Sequence, residues 1–185
     1  MANIKLPYFG ILDTESLEEY YDADVDYNGM EIQVDLNFES TTIEAGKLET
    51  TKQFLENIRI HDLNNKKAIQ KDFEDEEGDT VRDYLEHHIE KLATDDLYQL
   101  VGQGAKSADQ PKLLLKKLQL VRVGLYPDSA EQFAIFDYSI GKDITNYLVV
   151  LNTDENGNLE YMTMESWKVG STKVLQITFP QIKKP

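Results

Sequence analysis

An Asn-Gly pair between two alternating apolar runs is the feature that most restricts how this chain folds. In residues 21–38, apolar side chains recur at every second position on both sides of Asn28-Gly29. A two-residue type I′ turn suits Asn-Gly because both positions need a positive φ, and it sets the register of the flanking strands. The resulting pairs are Tyr27 with Met30, Val25 with Ile32, Ala23 with Val34 and Tyr21 with Leu36. All these residues then lie on one face, so the segment predicts a β-hairpin with one buried side.

The same letters also match a calcium-binding loop. In "DVDYNGMEIQVD", residues 24–35, oxygen-bearing side chains stand at positions one, three, five and twelve, and a glycine stands at position six. Glu31 occupies position eight, where an EF-hand has an apolar residue, and the flanks alternate like strands where an EF-hand has helices. A similar stretch, "NTDENGNLEYMT" from Asn152, has strand-like flanks too. We therefore interpret both stretches as hairpin turns.

The sequence is compatible with two registers for this second hairpin. A two-residue turn at Asn156-Gly157 pairs Leu151 with Met162. A longer loop pairs Leu151 with Tyr161 and sorts the apolar residues better between the two faces.

The rest of the chain divides into a helical middle and a strand-rich end. Apolar residues recur at helical spacing within residues 47–117, most clearly in a helix that begins at Thr80 and carries His88 on its apolar stripe. In residues 118–180, runs rich in β-branched and aromatic residues alternate with turn residues, which is typical of an antiparallel meander. With a hairpin region in residues 1–40, these segments predict a single α+β domain, residues 1–185. We expect a mainly antiparallel sheet with the central helices packed on one face.

Polar residues suggest where the central helices begin and end. The pair Asn64-Asn65 predicts a break between two helices. Thr80, with Asp83 three residues later, resembles a capping box, and Thr94 is placed to cap the next helix. His88, at the boundary of its apolar stripe, is expected to hydrogen-bond to backbone.

The chain is strongly acidic, with 34 Asp and Glu residues against 19 Lys and Arg and a net charge of −15. Such a surface repels phosphate backbones and anionic lipid headgroups, so we expect neither nucleic acid nor a membrane as a partner. The sequence has no cysteine, no apolar run of about 18 residues and no signal-peptide core in its opening residues. We expect a cytoplasmic protein that uses no cofactor and whose partner is a basic protein.

The hairpin concentrates negative charge on its polar face. The acidic residues there are Asp22, Asp24, Asp26, Glu31 and Asp35. The predicted register sets Asp26 opposite Glu31 and Asp22 opposite Asp35, and like charges in opposed positions destabilise a strand pair. Either the face is simply solvated, or a cation or basic partner relieves the repulsion. These five residues are the candidate partner-binding residues.

Asp83, His87 and Glu90 form the candidate metal site. Their spacing of four and three residues places them on one polar face of the helix that begins at Thr80. Imidazole and carboxylate groups are ligands of divalent metals, although three such side chains on a helix are more often solvated. No nucleophile or dinucleotide-binding motif occurs, and "GQGAKS" from Gly102 lacks the glycine spacing of a phosphate loop. The sequence therefore offers no catalytic or cofactor-binding residue.

Four short segments of the strand-rich end carry a resemblance to a known family. They are Val123-Gly124-Leu125-Tyr126-Pro127, Phe136-Asp137-Tyr138, Thr145 to Val150, and Met164-Glu165-Ser166. In these segments the chain resembles the bacterial family catalogued as domain of unknown function two-thousand-and-four, and the similarity extends more weakly through the hairpin and the helical middle. The resemblance implies a single α+β domain. It carries over no site residues, because the family has no assigned activity.

These features together favour a non-enzymatic protein that acts by protein–protein interaction. An immunity-like or inhibitor-like protein directed at a basic partner is one concrete form of this expectation. The alternative is a divalent-cation-binding protein or a small metal-dependent enzyme. Its ligands would come from Asp22, Asp24 and Asp26, or from Asp83, His87 and Glu90.

Overall fold

The computed structural model describes residues 3–166 of the 185-residue chain. In this part, strands precede and follow a helical middle along the sequence. The strands are β1 (Asn3–Leu6), β2 (Gly10–Asp13), β3 (Tyr20–Tyr27), β4 (Met30–Asn37), β5 (Gln119–Leu125), β6 (Ala134–Ser139), β7 (Tyr147–Thr153) and β8 (Leu159–Ser166). The α-helices are α1 (Ala45–Glu56), α2 (Ile58–Glu74), α3 (Thr80–Lys91), α4 (Thr94–Val101) and α5 (Gln110–Leu115), the last preceded by a 3-10 turn at Ser107–Asp109.

Six of the strands form one sheet in the order β3-β4-β5-β6-β7-β8, and β1 and β2 form a separate antiparallel pair. The chain passes through all the helices between β4 and β5, and this long connection lets the two strands pair in parallel. The remainder of the large sheet is mostly antiparallel. The predicted α+β class and the mainly antiparallel sheet are therefore confirmed.

The hairpin of β3 and β4 has the predicted register. Tyr27 pairs with Met30 and Tyr21 with Leu36, while the turn residues Asn28 and Gly29 have φ values of 56° and 80°. Both values lie in the left-handed region that a type I′ turn requires. Because the segment of residues 24–35 is strand, turn and strand, it lacks the helical flanks of an EF-hand.

The second hairpin, β7 to β8, closes through a short polar loop. The Asp154 N–H donates to the Asn158 carbonyl oxygen at 3.0 Å. This bond has the geometry expected for the register in which Leu151 lies opposite Tyr161. The predicted turn at Gly170-Ser171 and the predicted strand of residues 173–179 lie outside the described residues.

The helical middle is confirmed, but the break predicted at Asn64-Asn65 is wrong. Helix α2 runs through both residues, and the helices α1 and α2 instead meet at Asn57, whose N–H bonds the Phe54 carbonyl. Asn65 is buried. Its side chain lies within the core and does not compete with the helical backbone for hydrogen bonds, which is the usual reason that Asn ends a helix.

The predicted caps at Thr80 and Thr94 are also wrong. Each threonine is the first residue of its helix, and neither helix start has a side-chain cap from the preceding residue. At the start of α3, the Val81 N–H donates to the Asp72 carboxylate at 2.8 Å. The capping acceptor thus comes from α2, nine residues earlier, which lies outside the window of a capping-box motif.

The β1–β2 pair is an element that sequence patterns did not predict. Pro7 and Gly10 interrupt its apolar run, and the turn between them contains Tyr8 at a φ of 69°. Leu6 and Leu12 are nevertheless buried, and α1 packs against β1. The β1–β2 pair therefore packs against α1 through β1.

The described residues fall into two compact units. The first contains residues 3–68, 120–137 and 151–161, and the second contains residues 69–119, 138–150 and 162–166. Phe54 and Phe136 are among the fully buried residues of the first unit, and Tyr84 and Leu114 are among those of the second. The prediction that the chain forms one domain stays a prediction.

Candidate functional site

Four of the five candidate partner-binding residues are exposed on one side of the β3–β4 hairpin. Asp22, Asp24, Asp26 and Glu31 form this surface, which we call the acidic hairpin face. Strand β3 is the terminal strand of the large sheet, and within residues 3–166 no strand pairs with its outer edge. The face therefore combines exposed carboxylates with a strand edge that is open in this part of the chain.

Asp35 lies on the same side of the hairpin but is buried, so it is not part of this exposed surface, and its assignment as a partner-binding residue stays a prediction. The side chain is 0% exposed, and Nε and Nη2 of Arg122 donate to its two carboxylate oxygens at 2.6 and 2.8 Å. The Asn37 side-chain amide donates a further hydrogen bond to it at 2.6 Å. Asp35 does lie opposite Asp22, as predicted. The guanidinium of Arg122 offsets the repulsion that this pairing would otherwise cause.

Arg122 is the centre of a buried polar network. Its Nη1 donates to Asp137 at 3.0 Å, and its Nη2 lies 3.4 Å from the Tyr126 hydroxyl oxygen. Burial tends to lower the pKa of Arg122, but the carboxylates of Asp137 and Asp35 outweigh this effect and raise the pKa above its ordinary value. The guanidinium therefore stays charged between two buried carboxylates, in a fork geometry that suits bidentate pairing.

Gly124 makes room for this network. It pairs with Asp35 across the β4–β5 ladder, and a Cβ at this position would lie 2.5 Å from Nη2 of Arg122. The guanidinium therefore lies over Gly124, in the space that a side chain there would fill. Sequence reasoning missed this site, although an Arg and a Gly in the otherwise apolar run "LVRVGL" were a visible signal.

The structure does not gather the candidate metal residues Asp83, His87 and Glu90 into a group that could hold a metal ion. Asp83 and Glu90 are exposed, while the His87 ring packs 4.5 Å from the Tyr147 ring. Among the described residues, no group of three or more His, Cys, Asp or Glu side chains is placed to hold a metal ion. This finding applies equally to the carboxylates of the acidic hairpin face.

His88 is buried and makes two short hydrogen bonds. Its Nδ1 lies 2.6 Å from the Tyr84 carbonyl oxygen, which confirms the expected bond to backbone, and its Nε2 lies 2.7 Å from Oγ1 of Thr145. A carbonyl oxygen only accepts, so Nδ1 carries the ring proton and Nε2 accepts the Thr145 hydroxyl proton. Burial lowers the pKa of His88 and so favours this neutral ring.

A cleft of about 390 Å³ opens beside this pair, where α3 ends and β6 leads to β7. Its polar lining residues include His87, His88, Lys91, Lys142, Asp143 and Thr145. Lys91 and Lys142 are exposed, and no ion pair to either lysine occurs among residues 3–166. The cleft thus presents unneutralised positive charge.

His61 is buried in the core of the first unit. Its ring stacks on Phe54 at a centroid distance of 4.1 Å and also contacts Phe136. A Cβ at Gly157 would overlap its ring. Burial lowers the pKa of His61, so this imidazole is a neutral core residue.

We expect the free energy of unfolding to fall as the pH is lowered from about 7.5 to about 5.5. Burial lowers the pKa of both His61 and His88, so the unfolded chain binds protons more readily than the folded chain in this range. Their contribution is therefore present above the ordinary histidine pKa of about 6.5 and is lost as the pH falls through the folded-state pKa values. Denaturant unfolding at several pH values measures the slope. A variant with both His61→Gln and His88→Gln should show a shallower slope, and an unchanged slope would contradict this assignment.

None of the helices within residues 3–166 is both long enough and apolar enough to cross a membrane. No protein-family model matches the sequence, and comparisons with curated proteins and with solved structures also return no match. The resemblance to the family of domain of unknown function two-thousand-and-four stays a prediction.

Proposed function

We propose that this chain acts by binding a protein partner that presents a basic, extended segment to the acidic hairpin face. The observation that carries the proposal is the exposure of Asp22, Asp24, Asp26 and Glu31 beside the open edge of β3. A chain of net charge −15 attracts basic partners at long range. The acidic hairpin face supplies a defined surface on which such a partner can dock.

The spacing of the carboxylates fits an extended ligand. Asp22, Asp24 and Asp26 stand at every second position of β3, which separates neighbouring carboxylates by about 7 Å along the strand. A peptide strand with a basic residue at every second position repeats its charges at the same interval. Pairing along the edge of β3 would supply main-chain hydrogen bonds, and the carboxylates would select lysine or arginine side chains.

The repulsion on this face favours the same ligand. Asp26 lies opposite Glu31, and both are exposed. Whereas Arg122 neutralises Asp35 inside the protein, no ion pair to Asp26 or Glu31 occurs among residues 3–166. A basic partner would relieve this repulsion on binding.

Two more specific expectations, one for the mode of action and one for the location, form part of this proposal. An immunity-like or inhibitor-like action on a basic protein is one form of it, and a cytoplasmic location goes with it. The alternative of a divalent-cation-binding protein or metal-dependent enzyme has less support, because the described residues do not gather three metal-ligating side chains at one place.

Neutralising the acidic hairpin face should weaken binding of a peptide that alternates lysine and threonine. We expect the variant Asp22→Asn, Asp24→Asn, Glu31→Gln to bind about tenfold more weakly at low salt, because three surface charge contacts contribute a total of about 1–2 kcal/mol. Asp26 is kept because its carboxylate accepts the Gly29 N–H in the turn. Fluorescence anisotropy of the labelled peptide measures the affinity.

Two controls separate this site from general attraction. Glu76→Gln, Glu77→Gln, Glu86→Gln changes the net charge equally at exposed positions outside the hairpin, and it should leave the affinity within about twofold. A peptide of the same charge interrupted by prolines cannot pair as a strand and should bind more weakly. Equal losses in both charge variants, or equal binding of both peptides, would refute the proposed surface.

A further inference from the structure

The charge of the cleft beside His88 is opposite to that of the chain as a whole. Acidic residues outnumber basic ones 34 to 19 in the sequence, but Lys91 and Lys142 line this cleft with Asp143 as its one acidic lining residue. Another cavity, of about 360 Å³, follows the general pattern. Its charged lining residues are Lys47, Glu131, Asp154, Glu155 and Glu160. The cleft beside His88 is therefore a local region of positive charge on an acidic protein.

The two lysines are free to act on a ligand. Both are exposed, and neither makes an ion pair with any carboxylate of residues 3–166. Although the chain as a whole is acidic, two unpaired lysines at the rim of this cleft attract anions into it.

Thr145 and His88 add a directional hydrogen-bond donor. In the neutral state the Thr145 hydroxyl donates to Nε2 of His88, while its oxygen accepts the Tyr147 N–H at 3.0 Å. When His88 takes up a proton, Nε2 becomes a donor to the same oxygen. The Thr145 hydroxyl then no longer donates to His88, and its O–H group can rotate toward the cleft.

We propose that this cleft binds a small oxyanion, with Lys91 and Lys142 supplying the charge and the Thr145 hydroxyl donating a hydrogen bond to the anion. The ligand class is a carboxylate or phosphate group of a small molecule, which suits a cleft of about 390 Å³. The site shares no residue with the acidic hairpin face and does not depend on the function proposed for it.

Binding of the anion and protonation of His88 favour each other. The rings of Tyr84, His87 and Tyr147 contact His88, and Lys91, Lys142 and Asp143 line the same cleft. Burial lowers the pKa of His88 and His87 lowers it further, while the hydrogen bond to the Tyr84 carbonyl partly opposes them. An anion beside the ring offsets both of these lowering effects. Anion binding should therefore raise the pKa of His88, and protonation of His88 should tighten anion binding.

Sulfate is the probe for this site because its charge stays constant over the relevant pH range. We expect saturable shifts of the His88 ring proton signals in NMR titrations with sulfate, relative to chloride at matched ionic strength. Sulfate should bind more tightly at a pH of about 5.5 than at about 8, and it should raise the midpoint of His88 protonation. Shifts that do not saturate, or that chloride reproduces, would overturn the proposal.

Three variants identify the residues. Lys91→Met with Lys142→Met should abolish saturable binding, whereas the exposed pair Lys116→Met with Lys117→Met should preserve it. Thr145→Val should weaken sulfate binding about tenfold and flatten its pH dependence, and Thr145→Ser should restore both. Equal effects of the two lysine pairs, or full binding by Thr145→Val, would contradict the proposed roles.

Parallel titrations with acetate and with methyl phosphate distinguish the two ligand classes. Saturable binding of either ligand that requires Lys91 and Lys142 supports the proposal and assigns the class. Binding of neither ligand rejects it.

Discussion

Replacing Arg122 with methionine should lower the free energy of unfolding by about 3–5 kcal/mol. The substitution leaves Asp35 and Asp137 buried side by side without the guanidinium that bonds both of them. An uncompensated buried charge costs far more than the loss of an exposed one, because the carboxylates have exchanged water for the protein interior. Denaturant unfolding at pH 7 measures the loss.

Three further variants test whether the loss comes from the unpaired carboxylates. Arg59→Met removes an exposed arginine and should cost less than about 1 kcal/mol. Arg122→Lys keeps the charge but cannot form the fork with Asp35, so its loss should fall between the other two. Combining Arg122→Met with Asp35→Leu and Asp137→Leu should recover part of the stability, since no buried charge remains in this network. A loss in Arg122→Met no larger than in Arg59→Met would show that the network does not stabilise the fold.

The hairpin could be predicted from sequence because its determinants are local. Alternation over residues 21–38 and the Asn28-Gly29 pair specify strand, turn and register without reference to distant parts of the chain. The parallel pairing of β4 with β5 joins segments that are separated by all the helices. Periodicity identifies both strands, but it carries no information on which strands become neighbours.

The fate of Asp35 shows the same limit at the level of a side chain. Alternation places Asp35 on the polar face of the hairpin, and the structure agrees. Its exposure depends on Arg122, which lies 87 residues further along the chain and reaches it only because Gly124 has no side chain. Which residues on the polar face of a strand are exposed therefore depends on the strand that pairs beside it.

The histidines divide in a similar way. The bond from His88 to backbone follows from its place on the helix and was predicted, since the acceptor is the carbonyl four residues earlier. Its second partner, Thr145, is 57 residues away. The start of α3 likewise depends on Asp72 in α2, where the local capping pattern pointed to Thr80. The contact of His88 four residues back was therefore predictable, whereas its contact with Thr145 and the bond from Asp72 to the start of α3 were not.

Replacing Gly157 with alanine should lower the free energy of unfolding by about 2–5 kcal/mol, as the sum of two effects. Gly157 has a φ of +77°, and an L-residue in this conformation costs about 1–2 kcal/mol. The added Cβ would also overlap the His61 ring, which is stacked on Phe54 and has little room to move, and such overpacking costs about 1–3 kcal/mol. Thermal or denaturant unfolding measures the total.

Gly29 and His61 allow the two effects to be measured separately. Gly29 has a φ of +80° with nothing within 4 Å of an added Cβ, so Gly29→Ala should show the backbone cost alone. In a His61→Ala background the overlap disappears, and Gly157→Ala should then cost no more than Gly29→Ala. The resulting coupling between positions 61 and 157 should be about 1–3 kcal/mol. If the two substitutions are additive, the His61 ring does not limit position 157, and the backbone conformation alone explains why a glycine stands there.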